Sequence, residues 1–253
     1  MHALERISFD AYLPVYGPAA IDAGGATCLR APHAPDSPML NRVVGLGVDG
    51  PADEAQLDGA LTAMGDTSFY VAVSPSADAS LDGLLEARGL EPGWGWMLFE
   101  RAPAPAPSVE TALRLVQVDA GTVDAWARVV ATAYGLPDDA LPWFAAIPET
   151  AAWQAFLALD GDEPAAAAAV WIEGHSAYFG MAGTLPEHRG KGGQGALFAV
   201  RIERALAAGC TMLVTETGEL REGSPSSSYR NIRRYGFEER HVVAHRLRRH
   251  SPG

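Results

Sequence analysis

The chain has 253 residues, of which 48% are hydrophobic and 20% charged, and a formal net charge of −12. That length suits one large domain or two small ones with sizeable cores, and the apolar content with six Trp excludes a disordered chain. The acidic balance argues against non-specific binding to nucleic acid or anionic membranes, whose phosphates it would repel.

The first residues, up to Pro38, are rich in Gly and Pro and read as irregular. A short buried strand follows at 42–48, then a helix at 52–64 with Leu57, Leu61 and Met64 on one face. Residues 68–75 (SFYVAVSP) form a strand ended by proline. SLDGLLEARG reads as a short helix with Ser80 as N-cap and Gly89 as the C-terminal glycine. GWMLFER returns as a strand. This alternation of strand and helix indicates an α/β layer, and no catalytic residue types cluster in it. The run RAPAPAPS, Arg101 to Ser108, predicts an extended, semi-rigid spacer. The boundaries drawn from it are a first domain over 1–102 and a second over 108–250.

The second part opens with the alternating strand TALRLVQV. A helix, TVDAWARVVATAYG, ends at Gly135, and a loop rich in Pro, Trp and acids runs from Leu136 to Thr150. WQAFLALD and EPAAAAAVWIEG read as strands joined by the turn Asp160-Gly161-Asp162. The alanine run alone favours helix, but its flanking turns and Val170-Trp171-Ile172 favour a strand with small side chains. SAYFGMAGTL is the next strand, the loop PEHRGKGGQG follows, and the helix ALFAVRIERALAAG closes at Gly209. TMLVTETG is a strand, SSSYRNIRRYG a helix ending at Gly236, and FEERHVVAHRLRR a last extended segment.

Charge is unevenly placed. Residues 1–107 carry five Arg against fourteen acids, net −9, whereas residues 186–250 carry twelve basic residues against seven acids, net +5. A basic segment in an acidic chain suits a small polyanion better than a nucleic acid, the alternative being a solvated Arg-rich tail. Cys28 and Cys210 are the only cysteines, so neither a disulfide framework nor a thiol-rich metal site is indicated. The start lacks a signal-peptide pattern, and no apolar run approaches the ~18–20 residues of a membrane span. The expectation is a soluble, cytoplasmic protein with neither a membrane nor a nucleic acid as partner.

Of the nineteen basic residues one is Lys, and Lys191 lies in the loop with four glycines in six residues: Gly190, Gly192, Gly193 and Gly195. Glycines let a backbone turn sharply and expose consecutive N–H groups, and the helix that follows adds a partial positive charge. Such a nest binds phosphate or pyrophosphate, with Arg189 and Lys191 supplying formal charge. The alternative is a loop with glycines for flexibility. Gly190, Gly192 and Gly195 match GxGxxG, but Pro186–Arg189 intervenes after the strand and too little chain remains for a doubly wound sheet. A Walker A loop is excluded because Gly192 follows Lys191.

TLPEHRGKGGQGAL resembles the acyl-CoA-binding segment of the GNAT superfamily of N-acetyltransferases, Arg/Gln-x-x-Gly-x-Gly/Ala before a helix. Arg189 and Gly192 match the first and fourth positions, and Gln194 replaces the usual final Gly/Ala. The resemblance covers roughly residues 108–247 and includes the closing Gly236-Phe237. It implies a mixed, mostly antiparallel sheet flanked by helices, an α/β (α+β) fold in two tandem copies, the first degenerate and without the phosphate loop. It also implies acetyl-CoA as co-substrate, without a metal. Ala182, Gly183 and Thr184 would pair with the pantetheine arm along a splayed strand, and Arg189, Gly190, Lys191, Gly192, Gly193, Gln194 and Gly195 would hold the pyrophosphate.

Direct transfer from a thioester to an amine needs the amine deprotonated and the departing thiolate protonated or stabilised. Glu216 is the candidate base: it ends the strand beside the splayed one, on the face of Met212 and Val214, where a partly apolar cleft raises a carboxylate's pKa. A solvated strand-end Glu is the alternative. Many family members place the acid, a Tyr, four residues before Gly-Phe; here that residue is Ile232. Tyr229, one turn earlier on the same face, is the substitute, or else a packing residue. Asn231 is a candidate donor to the pantetheine or thiol, and Ser226–Ser228 a hydroxyl source or helix cap. Glu219 and Glu222 read as loop charges shaping the acceptor mouth. The expected activity is acetyl transfer to a small amine. Two further readings stay open: a non-catalytic acyl-CoA-binding or sensing module, suggested by Ile232, and a nucleotide-binding protein.

Overall fold

The computed structural model describes residues 1–221 and 226–250; Glu222 lies outside them. The chain divides into two units, Met1–Leu98 with His241–Gly253, and Phe99–Arg240. Among the described residues no helix is long and apolar enough to cross a membrane.

The first unit opens with a helix, α1 (Ala3–Tyr16), where the Gly/Pro content predicts irregular chain. Leu4, Ile7 and Ala11 recur at helical spacing and are buried, and His2 accepts from the Leu4 N–H as a cap. Short strands β1 (Ala20–Asp22), β2 (Thr27–Leu29) and β3 (Arg42–Val44) follow. The run expected to continue to Val48 stops at Val44, because Gly45 (φ 96°) and Gly47 (φ 69°) turn the chain. Then come α2 (Glu54–Met64), β4 (Phe69–Val73), α3 (Ser80–Ala87), the two-residue β5 (Glu91–Pro92) and β6 (Trp96–Arg101). Ser80 is the first helical residue of α3 and not its cap; Asp78 accepts from its N–H and hydroxyl instead. Strands β1 to β4 pair in sequence, and Leu57, Met64, Phe69, Val71, Leu81 and Leu85 form the buried core beneath them.

The second unit contains β7 (Arg114–Gln117), α4 (Val123–Tyr134), α5 (Leu141–Glu149), β8 (Trp153–Asp160), β9 (Glu163–Glu173), β10 (Ser176–Thr184), α6 (Gly193–Ala207), β11 (Met212–Gly218) and α7 (Ser227–Arg234). β12 (Glu238–Arg248) follows, its residues from His241 onward counting with the first unit. Helix α5 replaces the expected loop: Pro142 sits in its first turn, where a missing N–H costs nothing, and Trp143, Phe144 and Ile147 face inward. β7, β8, β9 and β10 pair antiparallel and β10 pairs parallel with β11. The alanine run is a strand, with Ala165–Ala169 fully buried. Its small side chains let α4 and α6 approach the sheet, and the Trp126 indole N–H donates to the Ala168 carbonyl at 3.2 Å.

The segment after β6 is not a free spacer. The Arg101 guanidinium is buried and donates to the carbonyls of Ala102, Ala104 and Pro105 at 3.0, 2.6 and 2.8 Å, so the Pro-Ala run wraps around one cation. Proline residues cannot donate hydrogen bonds, and here an arginine supplies the donors that their carbonyl-rich stretch lacks.

Candidate functional site

The site begins where β10 leaves β11. The parallel ladder runs from Ser176 opposite Met212 to Phe179 opposite Thr215 and stops there, although both strands continue. On its other edge β10 stays paired with β9 to Thr184, through a one-residue bulge between Gly180 and Gly183. Met181 lies in that bulge at φ 51°, left-handed for a non-glycine residue. The bulge bends β10 away, and the Thr215 hydroxyl donates to the Phe179 carbonyl at 2.7 Å at the fork. Beneath the bulge, the buried Arg201 of α6 donates to the carbonyls of Ala169 (3.2 Å) and Gly180 (3.5 Å).

Ala182, Gly183 and Thr184 therefore lie on the stretch of β10 that β11 does not cover. Gly183 is glycine because a Cβ there would collide with the Cβ of Ala133 on α4. Its carbonyl already accepts from the Gln194 side chain at 2.9 Å, and Thr184 Oγ1 accepts from the same amide at 3.0 Å. The Gln194 side chain thus ties the glycine loop to the splayed strand, a contact that local spacing does not reveal.

The loop itself is rigidly defined. Gly190 and Gly192 have φ 81° and 82°, conformations that side chains resist. Gly192, Gly193 and Gly195 are also forced by packing. Cβ atoms would meet the Glu110 carbonyl (3.0 Å), Leu113 Cδ1 (3.1 Å) and the Tyr235 hydroxyl respectively. No side chain caps α6 and no acid lies in its first turn. Among the described residues the N–H groups of Gly190, Lys191 and Gly192 donate to no backbone carbonyl. This is a row of open donors at the positive end of a fifteen-residue helix.

The two loop cations differ. Arg189 is exposed and its guanidinium has no partner among the described residues. Lys191 forms an ion pair with Asp160 at the end of β8, and the His188 ring meets the same carboxylate oxygen at 3.0 Å. These bonds from Lys191 first and His188 second hold the Asp160 carboxyl below its usual range. Lys191 is therefore first a loop anchor, and Arg189 is the free charge.

Glu216 is half-buried on β11, the first residue past the paired stretch. Tyr229 is buried on α7, its ring edge-on to Phe99 at 4.9 Å. Burial, and then donation of its hydroxyl to Glu239, push its pKa to about 12. Ser226 caps α7 by accepting from the Tyr229 N–H at 3.1 Å, and Ile232 is buried. Asn231 is half-buried on α7. Tyr235 stacks on Phe198 of α6 with ring centroids 5.0 Å apart, which puts its hydroxyl against Gly195. Thr111, Asp160, Arg201 and Tyr235 are structural partners of the site that sequence reasoning does not assign, because each reaches it from a distant element.

No family model and no curated protein matches the chain. Solved structures do. A GCN5-related N-acetyltransferase from Kribbella flavida is 24% identical, with 98% of this chain and 96% of that chain covered and a TM-score of 0.66. Another from Sphaerobacter thermophilus is 16% identical, covering 90% and 77% at 0.66. A tandem GNAT protein from the clavulanic acid biosynthesis pathway is 16% identical, covering 98% and 88% at 0.63. The chain has the mixed α/β fold of the GCN5-related N-acetyltransferases.

Proposed function

We propose that the protein is an acyl-CoA-dependent N-acyltransferase, moving an acetyl group from acetyl-CoA to an amine on a small-molecule acceptor in the cytoplasm. One observation carries this reading: an uncapped, acid-free helix N-terminus with an open nest adjoins a strand edge released by a bulge. A pyrophosphate fits the nest, through the N–H groups from Gly190 to Gly195 and the Arg189 guanidinium. An amide-bearing arm fits the uncovered stretch at Ala182–Thr184, where it would add as a further strand partner. Asn231 would donate to the arm near its thiol end. The first unit, whose corresponding turn has no such nest, is read as the degenerate member of a tandem pair.

In this reading Glu216 accepts the proton of the attacking amine, whose nitrogen forms the new bond to the acyl carbon. The C–S bond breaks as the tetrahedral centre collapses, and the departing sulfur takes a proton. Tyr229 supplies it, once its hydroxyl is released from Glu239. Burial and the bond to Glu239 make that hydroxyl a weak acid toward a thiolate, so its release from Glu239 is part of the step. The same bond to Glu239, together with Ile232, favours the second reading, a module that binds acyl-CoA without turnover. Free thiol formed from acetyl-CoA in the presence of an amine panel distinguishes the two. Amine-dependent thiol release supports the transferase; saturable acetyl-CoA binding without thiol release supports the sensor. Absence of any acetyl-CoA binding contradicts both.

A further inference from the structure

We propose that Thr111 is a positioning residue of the phosphate loop: by donating to the Lys191 carbonyl, its hydroxyl aims the Gly192 amide at the ligand. The inference rests on the acyl-CoA reading for the identity of that ligand. Thr111 Oγ1 lies 2.7 Å from the Lys191 carbonyl oxygen, and the same hydroxyl oxygen accepts from the Leu113 N–H at 3.1 Å. The Leu113 bond occupies a lone pair, so the single hydroxyl hydrogen is directed to Lys191. In a trans peptide the C=O and N–H point in opposite directions, and the described residues include no cis peptide. Fixing the Lys191 carbonyl on Thr111 therefore turns the Gly192 N–H to the opposite side, where no backbone carbonyl of the described residues takes it.

The surrounding strap explains why Thr111 stays in place. Arg101 gathers the carbonyls of Ala102, Ala104 and Pro105 and also donates to the Tyr235 carbonyl at 2.8 Å, which fixes the strap at its start. From Val109 onward it runs along the side of the loop where side chains would be. Val109 Cγ1 lies 3.2 Å from a Cβ placed at Gly195, the Glu110 carbonyl 3.0 Å from one at Gly192, and Leu113 Cδ1 3.1 Å from one at Gly193. The absent Cβ atoms at these three glycines thus make room for the strap on one side while leaving the N–H groups free on the other. Lys191, between two glycines, is held by Thr111 through its backbone and by Asp160 through its side chain. A preorganised donor spares the ordering cost at binding.

The test uses the full chain with Thr111→Val, which keeps the shape and removes the hydroxyl, and Thr111→Ser, which restores it. Backbone NMR order parameters of residues 190–195 without ligand are measured beside calorimetric titration with CoA. Thr111→Val is expected to lower the loop's order parameters and weaken CoA binding about fivefold, the scale of one net hydrogen bond, with Thr111→Ser near the parent. Parent-like loop order and binding in Thr111→Val overturn the proposal, as does a loss of order that spreads throughout the unit or that Ser fails to rescue. If Thr111→Val lowers loop order while the parent chain binds no CoA, the brace stands and the acyl-CoA reading falls.

Discussion

Each unit has a strand that runs through a glycine-rich turn into a helix, and the two turns have opposite chemistry. After β3, Gly45, Gly47 and Gly50 lead to α2, where Asp53 caps the helix by accepting from the Gln56 N–H at 2.7 Å and Gln56 reaches back to the Asp53 N–H. Glu54 adds an acid in the first turn. The capping box uses two of the donors there, and the local charge is negative. After β10, Gly190 and Gly192 lead to α6, which has no side-chain cap, no acid in its first turn and beside it an Arg189 without a partner among the described residues. Glycine content alone does not make an anion site. What distinguishes the two turns is whether the helix satisfies its own first N–H groups.

The largest effect is expected from Gly195→Ala, which places a Cβ against the Tyr235 hydroxyl. Alanine adds helix propensity worth up to about 1 kcal/mol. The collision outweighs it, because the Tyr235 ring is stacked on Phe198 and moving it disturbs that packing. Overpacking of this kind costs about 1–3 kcal/mol, and denaturant unfolding should show a net loss together with lost CoA binding. Unchanged stability and binding would mean that the ring moves and that this glycine is not required.

A second substitution moves the open turn toward the closed one. Gln194→Glu gives α6 a first-turn acid like Glu54 of α2 and removes the donor to the Gly183 carbonyl. An acid near a helix N-terminus favours the helix, so melting should change little while CoA binding weakens about tenfold, or roughly 1.4 kcal/mol. Equal affinity would show that first-turn charge does not separate the two turns.

The smallest effect is expected in the first unit. Asp53→Ala removes the cap and should cost about 1 kcal/mol of stability without creating or altering CoA binding, since Glu54 remains. A new CoA-dependent thermal shift in that variant would break the comparison from the other side.

Much of the fold was legible where periodicity and punctuation agreed. Gly135, Gly209 and Gly236 mark helix ends, and the alanine run is a strand because its neighbours turn and β-branched residues follow. Helix α1 was not legible, since Pro14 and the surrounding glycines obscured the Leu4–Ile7–Ala11 spacing, and α5 was hidden by Pro142 and Pro148. At the candidate site, the loop glycines and Arg189 were readable as a local pattern. The roles of Gln194, Asp160 and Thr111 were not, because each is defined by a partner eleven to eighty residues away in the chain. The reason for each glycine was equally hidden: Tyr235, Leu113 and Glu110 are distant in sequence from the loop they crowd.

The most direct test of the account is calorimetric titration of acetyl-CoA into the full chain and its Arg189→Ala variant. Saturable binding by the parent is expected, with affinity at least tenfold weaker in the variant, as for loss of a charged hydrogen-bonding partner. No binding by the parent at millimolar acetyl-CoA, or equal affinity in the two proteins, would contradict it.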